Sequence, residues 1–495
     1  MELFQHFAIY AIATPLFVAV VIPIIARWKK SLSMPLAALA LATSLILGVL
    51  LLPKILASGY LSYHMGAWEP PFGVEIRIDF LGIFMMILIS AICLVAAIYS
   101  GKYISSEVEE GKIATYYSLF LIFSASTLGF CATGDIFNMF VFFELTAVTS
   151  YALVAISGRG KAIKAAVKYL LMGEPASFLV LLAISLLYSV TGTLNMADLA
   201  GKITSSGYTQ VIIVAYVIFI MGFAVKAALF PLHVWLPDAH SMAPSPISAL
   251  LSGLFVKMGI FGMIRLGHSV YTAYFSSDLS VINSLLTWAA AAAVIYGSIM
   301  AIKQKDLKTM IAYSTVAHVG VILIGFGLTD VRALTGSMYH IIAHGLAKAC
   351  LFLCTGSIIY QSGYRMIEDL KGASTKMPLT CAAFAVASLA IVGIPPTAGF
   401  ISKWYLVWGS LDAGNIIVAV VILVGSLMSA VYCFRVVYYM FFLPAADGSW
   451  QEVMGEAPRS MMYSSWVLSA ATLILGILAI WILPTLQRAI EAFFQ

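Results

Sequence analysis

The sequence predicts an all-α, polytopic membrane protein of about fourteen transmembrane helices. Three observations carry that prediction. Of the 495 residues, 62% are hydrophobic and 10% charged, whereas a soluble domain carries about a quarter charged residues. Apolar runs long enough to span a bilayer, on the order of 20 residues each, recur along the whole chain. The lysines and arginines between them fall mostly on one side, as the positive-inside rule requires.

The runs lie near 4–26, 34–52, 80–99, 115–133, 136–156, 166–190, 210–230, 245–267, 281–302, 309–328, 333–359, 378–406, 414–442 and 461–483, fourteen in all. The first, Phe4 to Ala26, is long enough to span and has no basic stretch before it, so it reads as a helix and not as a cleavable signal. Connections are short except 53–79 and 443–460, and none could hold a soluble domain. Residues 1–495 therefore read as one transmembrane domain.

Charge placement tests the count. Loops after odd-numbered helices, with the helix ends beside them, hold sixteen lysines and arginines; the other side holds six. This bias places the odd loops in the cytoplasm and both termini outside. One missed or invented helix would scramble it.

Other classes of function find little support. The six cysteines lie in apolar runs, without a CxxC or Cys/His metal pattern, and read as small buried hydrophobes. The net charge of +5 marks orientation and does not point to nucleic acid. No glycine-rich loop has Rossmann spacing, and "GRGK" at 158–161 lacks the flanking residues of a phosphate loop. No cofactor or metal is expected.

Five basic residues remain inside apolar runs: Lys226, Lys257, Lys348, Lys403 and Arg435. So do Glu144, Glu174, His318, His340 and His344. A charge at mid-bilayer costs on the order of 2.5–3.5 kcal/mol even on the lenient insertion scale. One such lysine could be half of a structural ion pair; an array over several helices fits that reading less well. Glu144 has no basic neighbour in sequence, so its partner must come from another helix, and Lys226 is the obvious one. Such a pair can gate protons: withdrawing or neutralising the glutamate lets burial favour the uncharged amine. His340, His344 and Lys348, spaced i, i+4, i+8, share one helix stripe and make a plausible proton wire with bridging water. His318 stands alone on its helix and is as readily a satisfied core residue as a relay member.

Two helices are broken beside a lysine. Pro231 follows Lys226 by five residues, and Pro395 and Pro396 precede Lys403. Proline removes a backbone donor, and within a membrane the freed carbonyls persist only where protein or water satisfies them. Breaks in helices 7 and 12, five apart, point to two inverted five-helix repeats: helices 4–8 (residues 115–267) and 9–13 (residues 281–442).

The stretches "FELTAVTSYALVA", "KAALFPLHVWLPDAHSMAPSPISALLSGLFVKMG", "YSTVAHVG", "HIIAHGLAKACLFL" and "GIPPTAGFISKW" together resemble the antiporter-like subunits. That family is shared by Mrp-type sodium/proton antiporters, respiratory complex I and membrane-bound hydrogenases. The resemblance spans roughly residues 70–440. It implies a fourteen-helix core and a proton path along the membrane midplane. It implies roles for Glu144 and Lys226 as gate, for Lys257, His340, His344 and Lys348 as relay, and for Lys403 as terminal site. A lysine at 403, and no long lateral helix after helix 14, make the Mrp D-type chain the nearest match. Glu174, followed by Pro175 and six residues after Lys168, departs from the family pattern. It reads as an additional ion site with Lys168, as a partner for a neighbouring subunit's lysine, or as a carboxyl kept neutral by burial.

The expectation is a proton-translocating subunit, with Na+ as a second ion left open, working beside other membrane subunits. It carries no redox site of its own but could serve a redox-driven complex. The alternatives are a quinone- or lipid-binding anchor of an oxidoreductase and a solo carrier of an organic solute. An anchor has no use for five buried cations, and a solute carrier needs a roomy central pocket.

Overall fold

The computed structural model describes residues 2–205, 207–272, 279–445, 450 and 455–494. Among the described residues, twelve long unbroken helices and two broken ones follow in order, with a short helix, Met196–Ser205, between helices 6 and 7. Helices 1 to 6 are Glu2–Ile25, Ser33–Ser58, Phe80–Glu107, Ile113–Ala132, Ile136–Ala155 and Gly160–Thr191. Helix 7 comes in two pieces, 7a (Thr209–Lys226) and 7b (Trp235–Met242). Helices 8 to 11 are Ser245–Ser269, Ser280–Lys303, Leu307–Gly327 and Val331–Ser362. Helix 12 is again double, 12a (Pro378–Val392) and 12b (Ala398–Asp412), before helix 13 (Ile416–Phe442) and helix 14 (Arg459–Phe494). Among the described residues, thirteen helices are long and apolar enough to cross a membrane, and a fourteenth span arises if the bent pair Ile367–Thr375 and Pro378–Val392 is taken as one.

Polar residues set the helix starts. The side chains of Asp79, Asp135, Asp306 and Asp330 each accept a hydrogen bond from the backbone N–H three residues on, which satisfies a donor that a helix start leaves unpaired. Asp306 also holds Arg365 at 2.8 Å. Burial works to raise its carboxyl, but the bonded guanidinium and the Thr309 hydrogen bonds together outweigh that and keep it below the ordinary carboxylate value.

Several boundaries differ from the sequence reading. The 53–79 connection contains a hairpin, β1 (Tyr60–His64) antiparallel to β2 (Glu75–Asp79). Helix 6 starts at Gly160, so Lys161, Lys164 and Lys168 lie on a helix and not in a loop. Lys308 likewise lies inside helix 10 and is buried. Of the 443–460 connection, 446–449 and 451–454 lie outside the described residues.

Helices 8, 10 and 11 form the centre. Every residue of helix 11 from Ala333 to Ile358 is buried, enclosed by helices 8, 10, 12 and 14 among others. Helices 8 and 11 touch backbone to backbone: a Cβ on Gly253 would lie 3.2 Å from the Gly345 carbonyl, and one on Gly345 3.1 Å from that of Gly253. This close approach carries the polar stripe of helix 11 into the middle of the molecule.

Candidate functional site

Glu144, Glu174 and Lys226 gather in one cluster inside the spans, and Lys257, His318, His340, His344, Lys348 and Lys403 in a second.

The first lies between helices 5, 6 and 7a. Lys226 is the last residue of helix 7a, before the break marked by Ala228 at φ 55, a backbone region costly for any residue but glycine. Lys226 is buried, and its Nζ donates to Tyr151 Oη at 2.9 Å. It also sits 5.3 Å from the Phe143 ring centre, a cation–π distance. The anticipated direct pair is absent: no Lys226–Glu144 ion pair lies within 4.0 Å. Instead the Glu174 carboxyl faces Glu144, Tyr151 and Lys226. Glu144 Oε2 and Glu174 Oε1 are buried without hydrogen-bond partners. Glycine at 173 makes room for this arrangement, because a Cβ there would lie 2.1 Å from Tyr151 Oη. Glu174 thus belongs to the cluster of Glu144 and Lys226. Lys168 does not: its Nζ pairs with Asp238 of helix 7b at 2.6 Å, at a partly exposed position.

An aromatic wall joins this cluster to the next. Tyr151 meets Tyr169 edge-on with ring centres 4.5 Å apart, and Tyr169 stacks on Trp235 at 4.1 Å. Phe255, two residues before Lys257, lies 5.8 Å from Tyr169. Trp235 Nε1 reaches back to the Val225 carbonyl at 2.9 Å, which also accepts the Ala228 N–H at 3.0 Å, so the wall is tied to the end of helix 7a.

The second cluster holds Lys257, His318, His340, His344, Lys348 and Lys403, all buried. Helix 8 takes a π-helical turn over Leu251–Phe255, and Lys257 Nζ donates to the Ser252 carbonyl within it. Such turns shift backbone bonds by one residue and recur at functional sites. His318 Nδ1 lies 3.0 Å from His340 Nε2, and His340 Nδ1 lies 2.8 Å from Ser402 Oγ. The His344 ring centre is 5.1 Å from that of His318 and 6.0 Å from that of His340. Neither of its ring nitrogens has a hydrogen-bond partner. Lys348 Nζ donates to Ser314 Oγ and, at 3.0 Å, to the Ile311 carbonyl. Ser314 in turn bonds Tyr432 at 2.9 Å.

Lys403 completes the row from beyond the helix 12 break. Its Nζ donates to the carbonyls of Ile391 at 2.8 Å and Val392 at 3.0 Å, the last residues of helix 12a. The cation thereby sits where the half-helix dipole is negative. Gly393, at φ 87, makes the turn a side chain would strain. Pro231, Pro395 and Pro396 all fall between the halves of helices 7 and 12.

Two members escaped the sequence reading. His240 of helix 7b is fully buried, with both ring nitrogens unpartnered, and faces Lys257, Lys348 and Lys308. Lys308 Nζ donates to the Ala243 carbonyl at 2.6 Å. Position could have flagged His240, the one titratable side chain behind "WLPDA"; no spacing rule would have. Arg435, by contrast, has a structural role: it donates to the carbonyls of Ile302 and Gln304 at 2.6 and 2.7 Å, closing the end of helix 9.

Chemically, the second cluster is a row of titratable groups with no carboxylate among them. A neutral imidazole donates from one nitrogen and accepts at the other, so the His318–His340–Ser402 chain can pass a proton without moving a side chain. The first cluster is different in kind, with two carboxyls and a phenol around one amine.

The sequence profile of the NADH:quinone oxidoreductase/Mrp antiporter transmembrane family matches residues 133–429. The chain belongs to that family. It is 38% identical over 483 residues to the N-type chain of the NADH-quinone oxidoreductase of Desulforudis audaxviator, covering 95% of this chain and 96% of the relative. It is 32% identical over 412 residues to the D-type chain of the Na+/H+ antiporter of Alkalihalophilus pseudofirmus, covering 83% and 82%. Among solved structures, a chain of the membrane-bound sulfane sulfur reductase, an archaeal respiratory membrane complex, superposes with a TM-score of 0.91 at 29% identity, over 99% of this chain and 98% of that one. The D-type resemblance drawn from Lys403 is therefore joined by an N-type one, and this NADH:quinone oxidoreductase/Mrp antiporter family member has relatives in both kinds of complex.

Proposed function

We propose that this chain is the proton-translocating, antiporter-like subunit of a multisubunit cation/proton antiporter or of an ion-pumping respiratory complex. It sits in the cell membrane with both termini outside, beside other membrane subunits. The observation that carries this reading is the row of buried titratable groups from helix 8 to helix 12b, in which Lys257, Lys348 and Lys403 bond only neutral oxygens among the described residues. Three buried amines with no counter-ion are a poor way to hold a fold together, and a good way to hold and release protons.

In this reading Glu144, Glu174 and Tyr151 gate Lys226. Two facing carboxyls share a proton more readily than they bear two charges, so taking up or losing that proton changes the field on Lys226 by a full charge. The change passes to Lys257 across the Tyr169–Phe255 wall, then along His344, His318 and His340 to Lys403. Lys348 and His240 form a branch toward Lys308 and the odd-loop side. Residues 115–267 and 281–442 act as two inverted repeats, one carrying the gate and one the terminal site; the matching breaks in helices 7 and 12 support this. The relatives' names supply both hosts, and Na+ enters with the antiporter alone.

The test is transport by the assembled complex in sealed vesicles. Glu144→Ala and Lys226→Ala are each expected to abolish proton movement at normal subunit levels. The double variant should be no worse than either, because the residues act as a unit. Wild-type flux in either single variant would sink the gate.

A further inference from the structure

We infer that helix 6 carries a binding site for an anionic phospholipid on the odd-loop side of the membrane. A cavity of ≈ 670 Å³ opens between helices 6 and 7b, lined by Lys161, Lys164, Lys168 and Asp238 above and by apolar side chains such as Leu171 and Met242 below. Three amines against one carboxylate leave the polar part with net positive charge. Lys168 is tied to Asp238, while Lys161 and Lys164 have no carboxylate within ion-pair distance among the described residues.

The sequence of helix 6 sets this cavity at headgroup depth. Helix 6 has 32 residues, about 48 Å at ~1.5 Å per residue, against a hydrocarbon core of about 30 Å. From Leu170 to Val190 it carries one charged residue, Glu174, and that stretch alone is long enough to cross the core. The turns holding Lys161, Lys164 and Lys168 therefore project into the polar layer.

Along the helix the same stripe changes character. Positions 161, 164, 168, 171, 175, 178 and 182 follow the alternating 3- and 4-residue spacing that keeps side chains on one face. They read Lys, Lys, Lys, Leu, Pro, Phe, Leu. Leu171 and Phe178 are 65% and 64% exposed, and Leu182 48%. From Leu171 to Leu182 the stripe runs about 16 Å, close to the depth of one leaflet's hydrocarbon, about 15 Å. Amines followed by an exposed apolar track of acyl-chain length match the two ends of a phospholipid. A soluble anion would use the amines and leave the track bare. A polar protein segment would have no reason to follow it into the bilayer.

The experiment places the assembled complex in nanodiscs containing photo-crosslinkable phosphatidylglycerol or phosphatidylcholine, and reads the label on helix 6 peptides. Phosphatidylglycerol should label the 161–182 region in clear excess. Lys161→Gln with Lys164→Gln should reduce that excess by about five-fold for each lysine neutralised, whereas Lys29→Gln in the first odd loop should leave it unchanged. Lys168 is left intact, so its bond to helix 7b persists. Equal labelling by the two lipids overturns the site, as does an equal loss in the Lys29→Gln control. Displacement of the label by inorganic phosphate reassigns the amines to a soluble anion. A helix 6 face protected by a neighbouring subunit, with no lipid label, reassigns it to protein contact.

Discussion

The acidic and basic clusters solve one problem in opposite ways. Each buries lysine inside a membrane protein. Around Lys226 the chain supplies two carboxyls, a phenol and an aromatic face. Around Lys257, Lys348 and Lys403 it supplies backbone carbonyls and hydroxyls. Carboxylates fix a charge by Coulomb attraction, and their own protonation can switch that attraction off. Carbonyls and hydroxyls solvate an amine in either state and switch nothing. In the proposed reading the first cluster decides whether a charge is present, and the second passes it on.

The largest effects should come from substitutions that keep charge but forbid release. Lys348→Arg and Lys403→Arg should each bring proton flux to background while the complex still assembles, since arginine does not give up its proton in this range. If either retained flux in vesicles, the second cluster would be only a set of solvated structural cations, and the contrast with the first would disappear.

A smaller loss is expected at Tyr151, which stands between the amine and the carboxyls. Tyr151→Phe removes a hydrogen bond to a charged group, worth about 1.5–3 kcal/mol, so flux should fall roughly ten- to a hundred-fold without a matching fall in thermal stability of the complex. Gly173→Ala, which would crowd the Tyr151 hydroxyl, should act in the same direction. Unchanged flux in both would mean that Lys226 senses the carboxyls without the phenol.

The smallest effect belongs outside both clusters, at Asp306 and Arg365. The Asp306 carboxyl is held below its ordinary value, with burial opposing and Arg365 and Thr309 together outweighing it. Its contribution is present above the unfolded carboxylate range, about pH 4, and is lost as pH falls through the lower folded value. Asp306→Asn should cost at most about 1 kcal/mol at neutral pH and flatten the acid side of the stability curve. Flux should stay normal. A large flux defect would extend the relay to this rim.

Much of this was legible in the sequence because membrane physics writes it there. Apolar length fixes the spans, proline the breaks, and the cost of intramembrane charge singles out Lys226, Lys257, Lys348 and Lys403. What stayed hidden depends on which helices face each other. Helical spacing puts His340, His344 and Lys348 on one stripe, but it cannot tell that His318 of helix 10 stacks against it. Nor can it tell that Tyr151 intervenes between Lys226 and the acids. Lys168 lies six residues from Glu174, yet its amine goes to helix 7b, because the partner's position is set by the fold of another segment. His240 and Lys308 were missed for the same reason. The β1–β2 hairpin was overlooked because it is short and sits in a connection read by composition alone.

Helix 11 is enclosed on every side, and helix 14 is one of its walls: Tyr339 donates to the Leu475 carbonyl, and Cys350 Sγ lies 3.3 Å from that of Ser465. Without helix 14, that flank of helix 11 would lie open to lipid, and the Tyr339 hydroxyl would lose its partner in a medium that offers no replacement. Helix 14 therefore insulates the buried centre from the bilayer as well as crossing it.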